Sequence, residues 1–298
     1  MTKLPKILVI VGPTASGKTS LGVALAKAFN GEVISADSRL LYRGMDIGTA
    51  KPTKAERQGI PHHLIDVVAP DQTLTLSEYQ TLALAAIRDV LKRGKLPIIV
   101  GGTGLYVRAL VDNLEIPQVP PNAKLRQRLE QMPVGERLDW LKSLDPAYAL
   151  RAGHNPRFVI RALEVMSAMG KTMTELQRQG EPLFDALQIG LRPPMKVLEE
   201  RIVRRTKAMI KSGLLDEAKS LARRYPESTP SLSGIGYREF FPYFRGEISL
   251  DETTQAVALH TRQYAKRQLT WFKRDARIHW ITSPNKGLVL AKKWLKSA

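Results

Sequence analysis

Short apolar-rich runs alternate with a longer amphipathic stretch over the first part of the chain. Residues 7–11, 32–36 and 96–100 are runs of strand length, and residues 76–93 carry apolar positions at helical spacing. This alternation is typical of a parallel sheet covered by helices, in which ligands bind at the carboxyl ends of the strands. The pattern therefore predicts an α/β core with a ligand site along one edge of its sheet.

The alternation stops at a proline-rich segment, residues 116–121. From there to about residue 180 the pattern is helical, and residues 187–191 again have the pattern of a buried strand. An all-helical block between two parts of an α/β fold is most simply an inserted domain. The predicted parts are the first half of the core (1–115), the helical insert (116–182) and the second half of the core (183–298), with a last strand at 277–281.

Gly12 to Thr19 match the phosphate-loop pattern G-x-x-x-x-G-K-[ST], between a predicted strand and a predicted helix. In that setting successive backbone N–H groups cradle an anionic phosphate, the lysine adds positive charge and the last hydroxyl is placed to bind Mg²⁺. The predicted phosphate-binding residues are Gly12, Pro13, Thr14, Ala15, Ser16, Gly17, Lys18 and Thr19, and Thr19 is the predicted metal ligand. Alone, the motif suggests ATP.

The net charge of the chain and its distribution add a second indication of function. The 298 residues include 46 Lys and Arg against 28 Asp and Glu, a net charge of +18. Residues 1–150 carry 19 basic and 14 acidic groups, whereas residues 151–298 carry 27 and 14. A basic excess of this size favours a polyanionic partner, most often nucleic acid. The phosphate loop cannot account for it, because most of the excess lies in the other half.

The amino-acid composition excludes several classes of protein and of site. With no cysteine, the chain has no disulfide, thiolate zinc site or cysteine nucleophile. The longest apolar runs are far shorter than a membrane span, and no signal peptide is visible at the N-terminus. We therefore expect a cytoplasmic protein, and a monomer.

The strand at 96–100 lacks the acidic residue that usually holds Mg²⁺ in a phosphate-loop kinase, and is followed by Gly101, Gly102, Thr103 and Gly104. The carboxylate instead ends the second strand, as Asp37. Asp37 either serves the metal or acts as a base toward a second substrate. The two glycines either admit a ligand closely or form a tight strand-to-helix turn.

Several further segments, in order along the chain, resemble tRNA dimethylallyltransferases. They are residues 37–52, 60–66, 101–106, 161–165, 236–238 and 262–272. The resemblance implies a P-loop core with a helical insert. It also implies transfer of a dimethylallyl group from dimethylallyl diphosphate to N6 of the adenosine just 3′ of a tRNA anticodon, with Mg²⁺ as cofactor and the anticodon stem-loop as partner.

The resemblance also implies residue roles. Asp37 would be the general base, Lys18 would stabilise the departing diphosphate, and Thr103 would lie near the leaving group or the target base. Arg205 would reach the diphosphate, unless it belongs to a solvated helix face. The implied RNA contacts are Asp37, Ser38, Arg39, Leu40, Thr103, Arg126, Arg161, Ala162, Leu163, Glu164, Val165, Ser233, Gly234, Ile235, Gly236, Tyr237, Arg238, Lys266, Arg267 and Trp271. For Trp271, the alternative is a position in the hydrophobic core. His62 and His63 are interpreted as part of a loop and not as a metal site.

Three other functions stay open on the sequence alone. An isopentenyltransferase acting on free AMP, ADP or ATP would share the chemistry but would not need a long basic surface. A phosphate-loop kinase for a small molecule would lack its usual strand-end carboxylate. A non-catalytic RNA-binding protein would leave Asp37 and the phosphate loop without a task.

Overall fold

The computed structural model of the chain describes residues 4–297, and within them six strands form one sheet. The strands are β1 (Lys6–Val11), β2 (Gly31–Ser35), β3 (His62–His63), β4 (Leu96–Val100), β5 (Asp185–Leu191) and β6 (Ile278–Ile281). All neighbours pair in parallel, in the order β3-β2-β4-β1-β5-β6. The predicted parallel α/β core is confirmed.

The chain separates into two compact units. One contains the sheet and comprises the residues up to Val111 and from Leu183 onward, and the other is Asp112–Pro182. The helices of the sheet unit are α1 (Lys18–Ala28), α2 (Lys54–Arg57), α3 (Leu76–Lys92), α4 (Gly104–Val111), α10 (Met195–Lys211), α11 (Leu214–Arg224), α12 (Phe240–Phe244), α13 (Leu250–Phe272) and α14 (Pro284–Lys296). The second unit, which we call the insert, begins at Asp112 where the sequence analysis set 116.

Alternate side chains of the strands build two cores, one on each face of the sheet. On one face, odd-numbered residues of β1 such as Val9 pack with Ile87 of α3 and Leu110 of α4. On the other face, Ile10 packs with Leu25 of α1. Both faces are therefore closed to water, which explains why the strands are almost uniformly apolar.

Local capping fixes where the long helices begin. The Thr75 and Ser249 side chains accept hydrogen bonds from the backbone N–H groups of Glu78 and Glu252, and each glutamate bonds back to the cap residue. These capping boxes satisfy N–H groups that the first turn of a helix leaves unpaired. The starts of α3 and α13 are thus encoded within four residues of sequence.

The insert has a hydrophobic core of its own. Its helices are α5 (Ala123–Gln131), α6 (Val134–Leu144), α7 (Pro146–Ala152), α8 (Pro156–Met169) and α9 (Met173–Leu176). Leu129, Leu141, Val159 and Leu163 are buried between them. The periodicity that predicted an all-helical block therefore reflects one apolar face on each helix.

His62 and His63 form a short edge strand, so the prediction of a loop there was wrong. They pair in parallel with Val33 and Ile34 of β2. His63 Nε2 lies 2.7 Å from the buried carboxylate of Glu32, which also binds Arg93 and Lys95. A two-residue strand is too short for any period to reveal, and pairing with β2 alone establishes it.

Candidate active site

A cavity of about 810 Å³ opens at the carboxyl ends of the strands in the sheet unit. Its lining brings together residues from four separate parts of the chain: Thr14 to Thr19, Asp37, Gly101 and the α10 arginines. The first three groups follow β1, β2 and β4, so the sequence-based expectation that they meet along one edge agrees with this placement.

The phosphate loop connects β1 to α1. Gly12 adopts a φ of 141°, and a Cβ there would lie 2.5 Å from the carbonyl oxygen of Leu191, so only glycine fits this turn. Lys18 Nζ donates to the carbonyl oxygen of Pro13 at 2.7 Å, which folds the lysine back over the loop. The loop residues and one cation thus line the cavity at the start of a helix, an arrangement that favours bound phosphate.

Burial lowers the pKa of Lys18 to about 8. The nearby Asp37 carboxylate opposes this shift, and the Arg205 guanidinium adds to it. A bound diphosphate would reverse the balance, because its negative charge stabilises the protonated amine. The site therefore holds concentrated positive charge that an anion would relieve.

Arg205 is directed at the phosphate loop rather than at bulk solvent. Its Nη2 donates to Thr14 Oγ1 at 2.6 Å, and burial lowers the pKa of its guanidinium. The alternative interpretation of Arg205 as part of a solvated helix face is therefore wrong. A largely desolvated guanidinium beside a phosphate cradle is suited to an anionic ligand.

Two further arginines of α10 line the same cavity and were missed by the sequence analysis. Arg201 Nη1 donates to the carbonyl oxygen of Ser16 at 3.4 Å, and Arg204 lines the cavity beside it. Positions 201, 204, 205 and 208 share one face of a helix, so their helical spacing was a usable signal. The α10 face presents three cations to the cavity where the sequence analysis named one.

Asp37, which lines the cavity, is held in a turn together with Ser38 and Thr103. Asp37 Oδ1 accepts from the backbone N–H of Arg39 at 2.9 Å, which fixes the carboxylate at the end of β2. Thr103 Oγ1 accepts from the backbone N–H of Ser38 at 3.0 Å. The carboxylate and the threonine hydroxyl, 66 residues apart in the chain, therefore belong to one hydrogen-bonded turn.

Protein atoms occupy the space beside the two glycines that follow β4. A Cβ on Gly101 would lie 2.0 Å from the carbonyl oxygen of Ala36, and one on Gly102 would lie 2.1 Å from Nε2 of Gln268. The glycines are required by close packing of the chain on itself. Of the two interpretations left open by the sequence, the structure supports the tight turn.

The segment 231–239 adjoins this side of the site. Arg39 Nη1 donates to the carbonyl oxygen of Ser231 at 3.2 Å. Within the segment Tyr237 is buried, with its hydroxyl donating to Glu217 at 2.7 Å, whereas Arg238 is 45% exposed and paired with Glu239. Of these two predicted RNA contacts, Arg238 has a side chain that a partner can reach. Tyr237 is buried and holds the segment in place through its hydrogen bond to Glu217.

The candidate RNA contacts of the insert share one buried carboxylate. Glu164 is 1% exposed, and it accepts from Arg126 Nε at 2.8 Å, from the backbone N–H of Asn122 at 2.6 Å and from Arg161. Burial alone would raise the pKa of Glu164, but these donors outweigh it and lower the pKa to about 2. Ala162, Leu163 and Val165 lie in the insert core, so the two arginines carry the exposed charge.

On α13, Lys266 and Arg267 are exposed, and the Arg267 guanidinium lies 5.9 Å from the ring centroid of Tyr264. Trp271 instead packs against the core on one face of the sheet, where a Cβ on Gly104 would lie 2.0 Å from its indole Nε1. The alternative of a core position for Trp271 therefore agrees with the structure. Gln268 and Tyr264 of the same helix reach the site and were not among the predicted residues.

The donor set near the phosphate loop fits Mg²⁺. Thr19 supplies a hydroxyl and Asp37 a carboxylate to the same cavity. Within residues 4–297, no group of three or more histidine, aspartate or glutamate side chains is arranged to hold a metal. Mg²⁺ does not require such a group, because it usually keeps several waters and binds one or two protein oxygens together with substrate phosphates.

No helix among the described residues is both long enough and apolar enough to cross a membrane. This finding agrees with the short apolar runs of the sequence.

Comparison with known proteins identifies the family. The family model described as IPP transferase matches residues 40–275. A tRNA dimethylallyltransferase of Roseiflexus sp. (strain RS-1) is 47% identical over 274 residues, which are 90% of each chain. The structure of the full-length tRNA isopentenylpyrophosphate transferase from Bacillus halodurans is 39% identical, with a TM-score of 0.74 over 97% of this chain and 95% of that one. A eukaryotic dimethylallyltransferase described as acting on tRNA is 29% identical, with a TM-score of 0.84 over 98% and 79%. The predicted resemblance is confirmed, and the chain belongs to the IPP transferase family.

Proposed function

We propose that this chain transfers a dimethylallyl group from dimethylallyl diphosphate to N6 of the adenosine adjacent to the 3′ side of a tRNA anticodon. One observation carries the proposal beyond the family relation. Lys18 and Arg205 line the same cavity as Asp37, and the Asp37 carboxylate is close enough to act electrostatically on both cations. An anion-binding half and a basic carboxylate therefore face one another across a single cavity.

The bond to the leaving group breaks on the phosphate-loop side. As the carbon–oxygen bond of the donor breaks, its electron pair moves to the diphosphate, and negative charge grows on the phosphate oxygens. Lys18, Arg205 and the loop N–H groups stabilise that charge where it develops. Mg²⁺ bound by the Thr19 hydroxyl would supply further neutralisation of the diphosphate.

The new bond forms on the Asp37 side. The exocyclic nitrogen of the adenine attacks the allylic carbon and loses a proton as the carbon–nitrogen bond forms. Asp37 accepts that proton as general base. An adenine amine becomes acidic only as it is alkylated, so a carboxylate held close to it is sufficient. The hydrogen bond from Arg39 N–H to Oδ1 orients the carboxylate for this task.

The acceptor base must leave its stack to enter the cavity, at a cost of roughly a few kcal/mol that contacts in the pocket offset. We assign the positioning of the RNA to the exposed cations Arg238, Lys266 and Arg267, to the half-buried Arg39, and to Arg126 and Arg161 of the insert. The protein is proposed to act in the cytoplasm as a monomer.

The decisive test follows a radiolabel from dimethylallyl diphosphate. We expect it to enter an anticodon stem-loop that contains the target adenosine, with Mg²⁺ present and ATP absent. Label found only in AMP would contradict the RNA substrate and favour the adenylate isopentenyltransferase. Transfer of the γ-phosphate from ATP would contradict the reaction class and favour a kinase. A stem-loop that lacks the target adenosine is the matched control.

A further inference from the structure

Gln268 joins the two sides of the candidate active site. Its side-chain Oε1 accepts from the backbone N–H of Thr14 at 2.8 Å, and its Nε2 donates to the carbonyl oxygen of Gly102 at 2.9 Å. Thr14 belongs to the phosphate loop and is the residue whose hydroxyl binds Arg205. Gly102 immediately precedes Thr103. One carboxamide therefore spans from the diphosphate side to the acceptor side.

The orientation of this amide is fixed. Gln268 is 5% exposed, and buried amides need hydrogen-bond partners. A backbone N–H can only donate and a backbone carbonyl can only accept, so the two contacts permit one arrangement of oxygen and nitrogen. A Cβ on Gly102 would lie 2.1 Å from Gln268 Nε2, which shows how closely the turn approaches the amide.

Tyr264, one helical turn before Gln268, strengthens the same connection. Its side chain adjoins those of Thr103 and Gln268, and burial raises the pKa of Tyr264 to about 12, so it keeps its proton at neutral pH. Thr103 in turn accepts from the backbone N–H of Ser38, the neighbour of Asp37. The hydrogen bonds of Gln268 and Thr103, joined by the Gly102–Thr103 peptide bond, thus connect Thr14 to the turn that carries the carboxylate.

We propose that Gln268 is a positioning residue that sets the separation between the leaving diphosphate and the attacking amine. It touches neither reactant and acts through Thr14 and Gly102. Alkyl transfer depends steeply on that separation, since a misplacement of about 1 Å can lower a rate by roughly 10². This inference rests on the proposed function, because it takes the phosphate loop as the donor site and Asp37 as the acceptor site.

Gln268→Met and Gln268→Glu test the proposal. Methionine keeps the length of the side chain but removes both hydrogen bonds. Glutamate can still accept from Thr14 N–H, but it turns an acceptor toward the carbonyl of Gly102. Gln263→Met, at an exposed position of the same helix, is the matched control.

The measurements are the single-turnover rate of dimethylallyl transfer to the stem-loop, the Kd of the stem-loop, the Kd of inorganic diphosphate and the melting temperature. For Gln268→Met we expect the rate to fall about 10- to 100-fold. Both Kd values should stay within about threefold of wild type, because each half-site keeps its own groups. Gln268→Glu should be at least as slow, and Gln263→Met should match wild type.

A wild-type rate in Gln268→Met, or a loss of either affinity equal to the loss of rate, would overturn the proposal. If Gln268→Met does not fold, Tyr264→Phe takes its place, and an unchanged rate in that variant would be equally decisive against it. Wild-type protein that transfers no label contradicts the proposed function itself. Active wild type with an equally active Gln268→Met contradicts only the positioning role.

Discussion

The sheet unit and the insert both expose arginines around a deeply buried carboxylate, but they differ in charge and in chemistry. Residues 183–298, all in the sheet unit, carry 22 basic and 11 acidic side chains, whereas residues 112–182 carry 10 and 9. A division of the chain at residue 150 hides this contrast in charge, because it cuts through the insert. We therefore expect the sheet unit to supply most of the electrostatic attraction to RNA.

Glu32 and Glu164, each 1% exposed, show how each unit uses its cations. Glu32 in the sheet unit binds Arg93, Lys95 and His63, and none of these four residues lines the cavity. Glu164 in the insert binds Arg126 and Arg161, both of which are candidate RNA contacts. A nearly neutral insert with two fixed guanidinium groups is suited to local recognition, because fixed donors give geometric specificity.

The largest expected effect is on kcat, and it should distinguish the chemical step from RNA binding within the sheet unit. Asp37→Ala should lower kcat by on the order of 10²–10⁴, because it removes the proposed general base. The Kd of the stem-loop should change far less. Asp71→Ala, at an exposed position, is the control. Equal losses in binding and in rate would make Asp37 a binding residue.

Arg205→Ala should weaken donor binding. It removes a largely desolvated guanidinium that contacts the phosphate loop, so the KM for dimethylallyl diphosphate should rise by about 10- to 100-fold, the value of roughly 1.5–3 kcal/mol for a hydrogen bond to a charged group. The KM for the stem-loop should stay near wild type. Arg223→Ala, exposed on α11, provides the comparison. If only the KM for the stem-loop rose, Arg205 would be an RNA-binding residue and not part of the donor site.

In the insert, Glu164→Gln should loosen α5 and α8 without affecting donor binding. The arginines are more than a third exposed, so solvent screening limits the expected destabilisation to roughly 1–3 kcal/mol. Hydrogen exchange of the two helices measures it, with Glu130→Gln, exposed on α5, as control. Protection equal to wild type would show that the carboxylate does not organise the insert.

The same carboxylate predicts a pH dependence. Its folded pKa, about 2, lies below the ordinary value of 4.5, so its stabilising contribution is complete above pH 4.5 and is lost as the pH falls toward 2. Hydrogen exchange in α5 and α8 should therefore accelerate over that window in wild type. In Glu164→Gln this component of the pH dependence should be absent, and its persistence would assign the acid lability to another group.

The smallest expected effect is on the salt dependence of RNA binding. The affinity for the stem-loop should fall steeply with salt, and Lys266→Gln should reduce the slope of log Kd against log salt concentration by about one if this lysine meets a phosphate. Lys142→Gln in the insert, where the lysine pairs with Asp139, should leave the slope unchanged. Similar changes in both variants would contradict the assignment of RNA attraction to the sheet unit.

Much of this architecture could be predicted because its signals are local. The phosphate loop is contiguous, the strand and helix periods extend over five to seventeen residues, and the insert shows as an interruption of one pattern by another. The block predicted to be helical up to about residue 180 contains α5 to α9, and within it α5, α7 and α8 begin at Ala123, Pro146 and Pro156. Proline or asparagine at the helix starts, and apolar faces along them, encode these bounds within each segment.

The sequence by itself determined the family, the phosphate loop and Asp37 as the end of a strand, because each is carried by neighbouring residues. Only the tertiary structure decided which side chains meet. Gln268 and Thr14 are 254 positions apart, and no period or motif connects them. Arg205 reaches the loop, Trp271 enters the core and His62 extends the sheet for the same reason. Contacts of this kind depend on how finished elements pack, and packing is a property of the whole fold.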